Sequence, residues 1–239
     1  MKAFIFAAGL GTRLGALTNE KPKALVKVNG IPMLQLLISR LKKQGITDFV
    51  INVHHFADQI IAFLEQQNNF NCTIQISDER ELLLDTGGGL KKAEPFFKNE
   101  ANFLIHNVDI LTTIDFEDMA EEHYKSQAVA TLAVQKRDST RKLLFNKEKS
   151  LCGWRNIPEK KEIISRHANT YSPMAFSGVH FVSSEIFKLL PPLSKYSIIP
   201  EYLKIAKTKD ISAYICNEKV IDMGTPERIA TAEKLLSAD

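Results

Sequence analysis

The sequence predicts an α/β protein with a Rossmann-like, mostly parallel sheet flanked by helices, plus a small β-rich insertion. Apolar runs typical of buried strands alternate with amphipathic helix patterns through the first half. The first apolar run ends in a glycine loop, the usual ligand-binding position in an open parallel sheet. After about residue 126 the pattern changes to short strands separated by polar turns. With 239 residues, 44% of them hydrophobic, the chain can bury a sizeable core.

The first half alternates strands and helices. An apolar strand over 3–8 is followed by a loop to about residue 31, and Pro32 begins a helix that ends near Gly45. The other elements predicted in this half are strands at 48–53, 72–76 and 102–108 and helices at 57–67 and 89–97. A β–α–β rhythm of this kind predicts parallel strands joined by helices.

The second half predicts a different arrangement. Its expected strands are 128–134, 142–145, 151–155, 177–182 and 211–216, and its expected helices are 184–190, 198–207 and 226–236. The polar stretch 136–172 predicts a hairpin or a lid over the sheet. With no repeat and no linker in the sequence, we expect 1–239 to form a single domain.

The loop after the first strand carries the strongest chemical signal. It reads Gly9-Leu10-Gly11-Thr12-Arg13, and Pro22-Lys23 follows. Glycines let backbone N–H groups approach an anion closely, and the two cations supply fixed charge, a combination that suits a polyphosphate. The alternative is a tight turn with solvated lysines. Leu14 stands where a dinucleotide fingerprint needs its third glycine, and no P-loop motif is present.

Charge and composition narrow the class of partner. The first 30 residues hold five basic residues against one acidic residue, whereas the whole chain is only +3. This local excess favours a small anionic ligand over nucleic acid, which needs a broader basic face. The apolar runs are too short for a membrane span or a signal peptide, so we expect a cytoplasmic protein. Three widely spaced cysteines predict neither disulfides nor a zinc site.

The Gly-x-Gly-Thr-Arg segment with its later Pro-Lys resembles the signature of the sugar-phosphate nucleotidyltransferases. The resemblance implies the nucleotide-diphospho-sugar transferase type of fold, with a nucleoside triphosphate and a sugar 1-phosphate as substrates. It further implies that Arg13 stabilises the departing pyrophosphate and that Lys23 holds the α-phosphate region. The residues it implies for cradling the nucleotide in this loop are Ala8, Gly9, Gly11 and Thr12.

Two aspartates are candidate metal ligands. Asp109 follows the predicted strand 102–108, at the same sheet edge as the glycine loop, where a carboxylate suits Mg²⁺; a turn or helix-cap role is the alternative. Asp222 ends an apolar run before Gly224-Thr225-Pro226, and alone it is more typical of a structural residue. The resemblance implies that Asp109 and Asp222 together bind the metal. The resemblance also implies that Asn107 lies near the nucleotide. Val108 stands directly before Asp109, where the family usually has Gly or Ala.

A second glycine-rich segment, Asp85-Thr86-Gly87-Gly88-Gly89-Leu90, precedes a predicted helix. It predicts free N–H groups at a helix start, or a loop that only needs positive φ. The resemblance implies that Thr86, Gly87 and Gly88 belong to the nucleobase pocket. Arg80 stands where some relatives have a base-reading glutamine, so the base stays open. The triple glycine most resembles uridylyltransferases acting on N-acetylmuramic acid 1-phosphate.

The sugar side carries a weaker signal. Ser177 and Gly178 lie in a segment that resembles the family's sugar-lining strand. The family's Glu-Lys-Pro motif is absent, and Trp154-Arg155-Asn156 takes its place, so Arg155 and Asn156 are the candidates for the sugar phosphate. Trp154 is equally consistent with packing. The resemblance divides the domain into a nucleotide-binding half (1–126), a sugar-binding half (127–216) and a segment with the metal aspartate and last helix (217–239).

Together these features predict a Mg²⁺-dependent sugar-1-phosphate nucleotidyltransferase of nucleotide-sugar and cell-wall synthesis. UTP with N-acetylmuramic acid 1-phosphate is the first substrate pair, and guanylyl transfer to mannose 1-phosphate or thymidylyl transfer to glucose 1-phosphate are alternatives. A non-catalytic nucleotide-sugar-binding regulatory subunit is a further alternative. No nucleic-acid or membrane partner is expected, and the sequence leaves monomer and homo-oligomer open.

Overall fold

Ten strands form one mixed sheet in the computed structural model, which describes residues 1–236. The strands are β1 (Lys2–Phe6), β2 (Lys27–Val28), β3 (Ile31–Pro32), β4 (Asp48–Val53), β5 (Thr73–Asp78), β6 (Asn102–Asn107), β7 (Ile110–Thr112), β8 (Ala130–Gln135), β9 (Arg141–Phe145), β10 (Leu151–Asn156), β11 (Lys161–Ile164), β12 (Ser172–Ser183), β13 (Ile211–Ile215) and β14 (Val220–Asp222). The helices are α1 (Met33–Lys43), α2 (Ala57–Gln66), α3 (Asp85–Lys92), α4 (Phe116–Ser126), α5 (Ile186–Leu189), α6 (Ile198–Ile205) and α7 (Pro226–Leu236).

The first half of the chain contains the parallel part of the sheet, in the order β5–β4–β1–β6. Phe6, at the end of β1, is in register with Asn52 of β4 and Asn107 of β6. The carboxyl ends of three strands therefore meet at one edge, as the β–α–β rhythm predicts. Beyond β6 the sheet becomes mixed, because β12 runs antiparallel to both β6 and β8, and β13 runs parallel to β8.

Side-chain alternation along β1 explains how the sheet is covered. Ala3 and Ile5 pack into a core with α1, α2 and α4, while Phe4 packs into a second core with α3, α5 and α6. Because successive residues of a strand point to opposite faces, an unbroken apolar strand needs helices on both sides. A smaller third core joins Leu14 to Met223 and Ile229, so that α7 packs beneath the glycine loop.

The polar stretch 136–172 continues the main sheet instead of covering it. Its strands β9, β10 and β11 are antiparallel neighbours, and β9 pairs with the first residues of β12. The predicted hairpin is therefore confirmed, whereas a lid over the sheet is wrong. β12 serves both regions because its pairing with β8 shifts register between Phe176 and His180, and this irregularity redirects the strand.

Two predicted helices differ from the structure in a way that matters for the site. α3 begins at Asp85 and ends at Lys92, and a separate 3₁₀ turn follows at Glu94–Phe97, so the predicted helix over 89–97 starts one turn too late. α5 is a single turn within the predicted 184–190. Among residues 1–236 no helix is long and apolar enough to span a membrane.

Candidate active site

A cleft of about 430 Å³ opens at the carboxyl edge of the parallel strands. The cleft brings together the glycine loop with Arg13, the segment that carries Lys23, and the end of β6. The lining residues are Phe6, Ala8, Gly9, Arg13, Lys23, Asn52, Glu79, Leu83, Asp85, Thr86, Asn107, Val108, Asp109 and Lys195. Seven of the residues predicted from the sequence to bind nucleotide or metal therefore line one cavity: Ala8, Gly9, Arg13, Lys23, Thr86, Asn107 and Asp109.

The glycine loop is shaped for close approach at two positions. Gly9 is exposed, and a Cβ added there would meet nothing within 4 Å, which leaves its backbone open toward the cleft. Gly11 has φ +68°, and an added Cβ would lie 3.0 Å from Cβ of Lys23. Only glycine combines this φ with this contact at no steric cost, so Gly11 lets the loop lie against the segment that carries Lys23. Thr12 is exposed and begins a 3₁₀ turn.

Asp109 and Asp222 are brought together by two short antiparallel strands. β14 pairs with β7 so that Asp222 is opposite Ile110, the residue after Asp109. One residue beyond this pair, the N–H of Met223 donates to the carbonyl of Asp109 at 2.7 Å. Asp109 and Asp222 are 113 positions apart in the sequence, but this strand pairing makes them neighbours in the fold.

Protein cations compensate both carboxylates. Lys23 forms an ion pair with Asp109, in which both side chains are largely buried. Arg228 forms an ion pair with Asp222, and Nη1 of Arg13 lies 3.9 Å from Asp222 Oδ2. Arg13 is 61% exposed, so most of its guanidinium remains available to a ligand in the cleft. Gly224 makes room for it, because an added Cβ would lie 2.6 Å from Arg13 Nη2.

The donor set suits a magnesium ion shared with a substrate. Within the described residues no group of three or more His, Cys, Asp and Glu side chains could hold a metal by itself. Two hard carboxylates beside a polyphosphate loop are nevertheless the arrangement Mg²⁺ uses when substrate phosphates and water complete its octahedron. Asp109 and Asp222 would be the protein ligands, and Lys23 would be released from Asp109 to pair with phosphate.

Asn52 and Glu79 form a buried network beneath the nucleotide loop that sequence reasoning missed. Oδ1 of Asn52 accepts from the N–H groups of Ala7 and Ala8 at 2.7 and 3.2 Å, and its Nδ2 donates to Glu79 Oε1 at 2.7 Å. The other oxygen of Glu79 accepts from the N–H of Leu84 at 3.0 Å. Burial raises the pKa of the Glu79 carboxyl, because a charged group is poorly solvated there. The N–H of Ala8 is thus engaged inside the protein.

The triple glycine serves packing inside the protein. The N–H groups of Gly87 and Gly88 both donate to the carbonyl of Tyr196, at 2.9 and 3.1 Å, so the expectation of free N–H groups there is wrong. An added Cβ at Gly88 would lie 2.1 Å from the carbonyl oxygen of Ser194, and one at Gly87 would lie 2.4 Å from the Tyr196 ring. Because the glycines lie in the first turns of α3, they allow the 194–196 segment to pack against it.

That packing positions a cation that sequence reasoning also missed. Thr86 Oγ1 accepts from the N–H of Ile198 at 3.0 Å, and this hydrogen bond holds the chain to α3 three residues after Lys195. Lys195 is exposed, lines the cleft and has no carboxylate partner in the described part of the chain. No local motif marks it, since its position depends on the contact between α3 and the 194–198 segment. It adds a third cation to Arg13 and Lys23.

The predicted sugar-side residues do not all reach the cleft. Gly178, at φ +74°, lies against Asn107, and an added Cβ would be 2.8 Å from its Nδ2. Ser177 is buried, and its hydroxyl lies 3.9 Å from the thiol of Cys216. Arg155 forms an ion pair with Glu162 at 2.5 Å, and both it and the buried Asn156 line a separate shallow depression. The structure therefore places Gly178 beside the nucleotide cleft and Arg155 away from it.

Arg80, the residue at the predicted base-reading position, also points elsewhere. Its guanidinium binds Asp78 at 2.7 Å and Asp58 at 2.8 Å on the surface, and it is absent from the cleft lining. Glu79, which directly precedes Arg80 in the sequence, does line the cleft. Base selection therefore has to come from other groups of this wall.

Fold and cleft together define a class: an α/β enzyme with its polyphosphate loop and a pair of carboxylates at the edge of a mixed sheet. Comparison with known proteins refines this class. Residues 2–143 match the family described as nucleotidyl transferase. The chain belongs to this family, and it is a sugar-1-phosphate nucleotidyltransferase.

Individual relatives differ in their substrates. N-acetylmuramate alpha-1-phosphate uridylyltransferase of Caulobacter vibrioides is 29% identical over 243 residues, 98% of this chain and 96% of that protein. Mannose-1-phosphate guanyltransferase of Aspergillus fumigatus is 37% identical over 144 residues, 59% of this chain but only 39% of that protein. HddC from Yersinia pseudotuberculosis, complexed with GMP-PN, has a similar fold, with a TM-score of 0.79 at 23% identity over 98% of this chain and 99% of that one.

Proposed function

We propose that this enzyme transfers the uridylyl group of UTP to N-acetylmuramic acid 1-phosphate, releasing pyrophosphate, with Mg²⁺ as cofactor. The observation that carries the proposal is the convergence of Arg13, Lys23 and Asp109 on one cleft at the carboxyl edge of the sheet, with Asp222 next to it, 3.9 Å from Arg13. Similarity to the Caulobacter uridylyltransferase over nearly both whole chains supports this substrate pair. The product would serve cell-wall synthesis.

The proposed reaction is an in-line displacement at the α-phosphorus. An oxygen of the sugar phosphate forms a bond to that phosphorus as the bond to the bridging oxygen breaks, and the pyrophosphate leaves with the electron pair. The attacking oxygen is already anionic, so no general base is required. Catalysis then rests on positioning and on charge neutralisation, the logic of phosphoryl transfer.

Each residue has a defined part in this mechanism. Arg13, largely exposed beside Asp222, stabilises charge on the departing pyrophosphate, while Lys23 moves from Asp109 to the α-phosphate. Gly9 and Gly11 bring the backbone close to the phosphates. When bound to Asp109 and Asp222, Mg²⁺ supplies charge that neutralises the phosphate oxygens. Lys195 adds positive charge at the opposite wall.

We propose that three segments of the chain have the separate functions that the family resemblance implies. Residues 1–126 hold the nucleotide, residues 127–216 hold the sugar, and residues 217–239 supply Asp222 and the last helix. Support comes from the junction of β7 with β14, which places Asp222 of the last segment beside Asp109 of the first. Residues 237–239 lie outside the described part of the structure.

Guanylyl transfer to mannose 1-phosphate is the second candidate. The Aspergillus guanyltransferase is more identical to this chain, at 37%, but over only 144 residues. That match covers 59% of this chain and 39% of the guanyltransferase. The uridylyltransferase is similar over 98% of this chain and 96% of its own length, and this fuller similarity favours the uridylyl reaction.

The test is pyrophosphate release with Mg²⁺, in which each nucleoside triphosphate is combined with a panel of sugar 1-phosphates. We expect the highest kcat/KM with UTP and N-acetylmuramic acid 1-phosphate. Preference for GTP with mannose 1-phosphate, or dTTP with glucose 1-phosphate, would replace the substrates and keep the mechanism. Absence of release with every pair, in folded protein that binds nucleotide, would overturn the proposed reaction.

A further inference from the structure

A second cleft, of about 480 Å³, lies beyond the nucleotide site, between the β9–β11 strands and the start of α6. Its apolar surface includes Trp154 of β10 and Phe176 of β12, and its rim includes Arg141 of β9 and Lys161 of β11. An aromatic and aliphatic floor with a few charged groups at the rim is the usual composition of a small-molecule site.

Strand register explains why these residues share one face. Trp154 is opposite Leu143 of β9 and Ile163 of β11. Arg141 and Lys161 are each two residues from those partners, so they point to the same side of the sheet as Trp154. Arg155, the next residue of β10, points to the opposite side, where it pairs with Glu162.

The charges of this cleft are uncompensated. None of the residues that line it is Asp or Glu, whereas Arg141, Lys142 and Lys161 all line it. The ammonium of Lys142 donates to the carbonyl of Arg137, which leaves Arg141 and Lys161 as the candidates for an anion. Neither side chain forms an ion pair with any carboxylate in the described residues, and both residues are exposed. Arg155 and Arg166 are both paired with acidic side chains, and Arg137 donates to the carbonyl of Phe176 at 3.2 Å. The cleft therefore offers two free cations to an anion.

One chain segment contributes to both clefts. Lys195 lines the nucleotide cleft, and Ser197 and Ile199 line the second cleft. This segment is held to α3 by the Thr86–Ile198 hydrogen bond. The two clefts are therefore adjacent along the 195–199 segment.

We propose that the second cleft receives the acceptor and that Arg141 and Lys161 recognise a second anionic group on it, a carboxylate carried by the sugar. This inference rests on the proposed function and deepens it, since it defines the acceptor as an acidic sugar 1-phosphate. N-acetylmuramic acid 1-phosphate carries such a carboxylate on its lactyl ether. Glucose 1-phosphate, mannose 1-phosphate and N-acetylglucosamine 1-phosphate do not.

The experiment measures binding and turnover separately. Binding of N-acetylmuramic acid 1-phosphate, its lactyl methyl ester and N-acetylglucosamine 1-phosphate is measured by calorimetry on the wild type and on the double variant R141Q/K161Q. The methyl ester keeps the ether and removes the charge. The control is K147Q/K160Q, which loses the same charge at residues that do not line the second cleft. Pyrophosphate release is then measured with the same acceptors.

We expect R141Q/K161Q to bind the acid at least about 10-fold more weakly, as for loss of a charge-assisted contact, and to bind the two sugar phosphates that lack the carboxylate unchanged. The control should match the wild type. Equal binding of acid and ester by the wild type, or equal weakening of all three sugars in the double variant, would overturn the inference. Either result can occur with normal pyrophosphate release, whereas acid-selective binding without any release would overturn the proposed reaction alone.

Discussion

Lys23 forms an ion pair with Asp109, so the cation assigned to phosphate and the carboxylate assigned to the metal neutralise each other in the structure. The exposed fraction is 14% for the Lys23 side chain and 10% for the Asp109 side chain. Leaving either charge unpaired in this position would be costly. Under the proposed function, a nucleotide that arrives with Mg²⁺ would give Lys23 a phosphate and Asp109 a metal ion, each of the same sign as the partner it replaces. The site would then remain electrically balanced with and without substrate.

Replacing Asp109 tests this exchange. Asp109→Asn removes the charge of the carboxylate in the turn between β6 and β7, and we expect turnover to fall by roughly 10²–10³-fold, as for loss of one electrostatic stabiliser. The measurement is kcat for pyrophosphate release across a Mg²⁺ titration. Asp210→Asn, which alters an exposed carboxylate paired with Arg166, is the matched control and should retain activity. Turnover of the Asp109 variant within about threefold of the control would contradict the metal assignment.

Arg13 and Gly224 are predicted to act as one unit. Arg13→Ala should lower kcat by about 10²-fold through lost charge on the leaving group. Gly224→Ala should lower it as well with Arg13 still present, because its Cβ would be placed 2.6 Å from Arg13 Nη2 and 2.7 Å from Asp222 Oδ1. The readouts are kcat and thermal midpoint for both variants, with Lys21→Ala as an exposed control. Normal turnover in Gly224→Ala would show that turnover does not depend on the placement of Arg13 and Asp222 seen in the structure.

The sequence is most informative where chemistry and local structure coincide. Gly9, Gly11 and Asp109 follow the ends of apolar strands, and a strand end can be predicted from the apolar run alone. The antiparallel pairing of β7 with β14 is not visible in the sequence, although the resemblance to a family supplies the Asp109–Asp222 pair. The fold class could be predicted for the same reason, because the alternation of strands and helices is local.

Other features depend on tertiary contacts and could not be predicted. Asn52 and Glu79 belong to no motif, and they meet only because β4 and β5 pair in parallel register. Gly87 and Gly88 show that a glycine indicates close approach without indicating what approaches: here it is a neighbouring chain segment. Arg155 resembles a phosphate ligand in the sequence, but the alternation of β10 turns it toward Glu162.

The Asn52–Glu79 contact predicts an unusual pH dependence in a variant. In Asn52→Asp an amide that donates to Glu79 becomes a second buried carboxylate. Burial already raises the pKa of Glu79, and the new charge would raise it further. The folded variant therefore binds a proton that the unfolded chain releases, so stability is retained at low pH and is lost as pH rises through the folded-state pKa.

The measurement is the free energy of unfolding of Asn52→Asp and wild type at pH 5 and pH 8. The deficit of the variant should be larger at pH 8. Asn52→Ala, which removes the same hydrogen bonds without adding charge, should cost about 1–3 kcal/mol. Its deficit should grow less toward pH 8 than that of Asn52→Asp, because only the hydrogen bond that lowers the pKa of Glu79 is lost. A pH-independent deficit in Asn52→Asp would mean that Glu79 is not close enough to sense the new carboxylate.

Buried histidines predict the acid sensitivity of the fold. Burial lowers the pKa of His106 to about 4 and that of His180 to about 3, and His123 is lowered to about 4 by the same cause. An unfolded histidine has a pKa of about 6.5, so the unfolded chain takes up protons that the folded protein does not. Stability is therefore present in full above about pH 6.5 and is lost as pH falls toward the folded-state values.

His106→Phe isolates one of these contributions. His106 is fully buried, and its Nε2 has no hydrogen-bond partner, while its Nδ1 lies 2.8 Å from the carbonyl oxygen of Asn107. Phenylalanine keeps the aromatic packing but removes this one contact, and the loss of that contact lowers stability at every pH without itself altering the pH slope. The pH slope of unfolding free energy between about pH 6 and pH 4.5 should fall by about 1.4 kcal/mol per pH unit, the value for one proton. Urea unfolding at pH 6.5, 5.5 and 4.5 measures it. The exposed His167→Gln is the control, and an unchanged slope in His106→Phe would show that this histidine already binds its proton in the folded state.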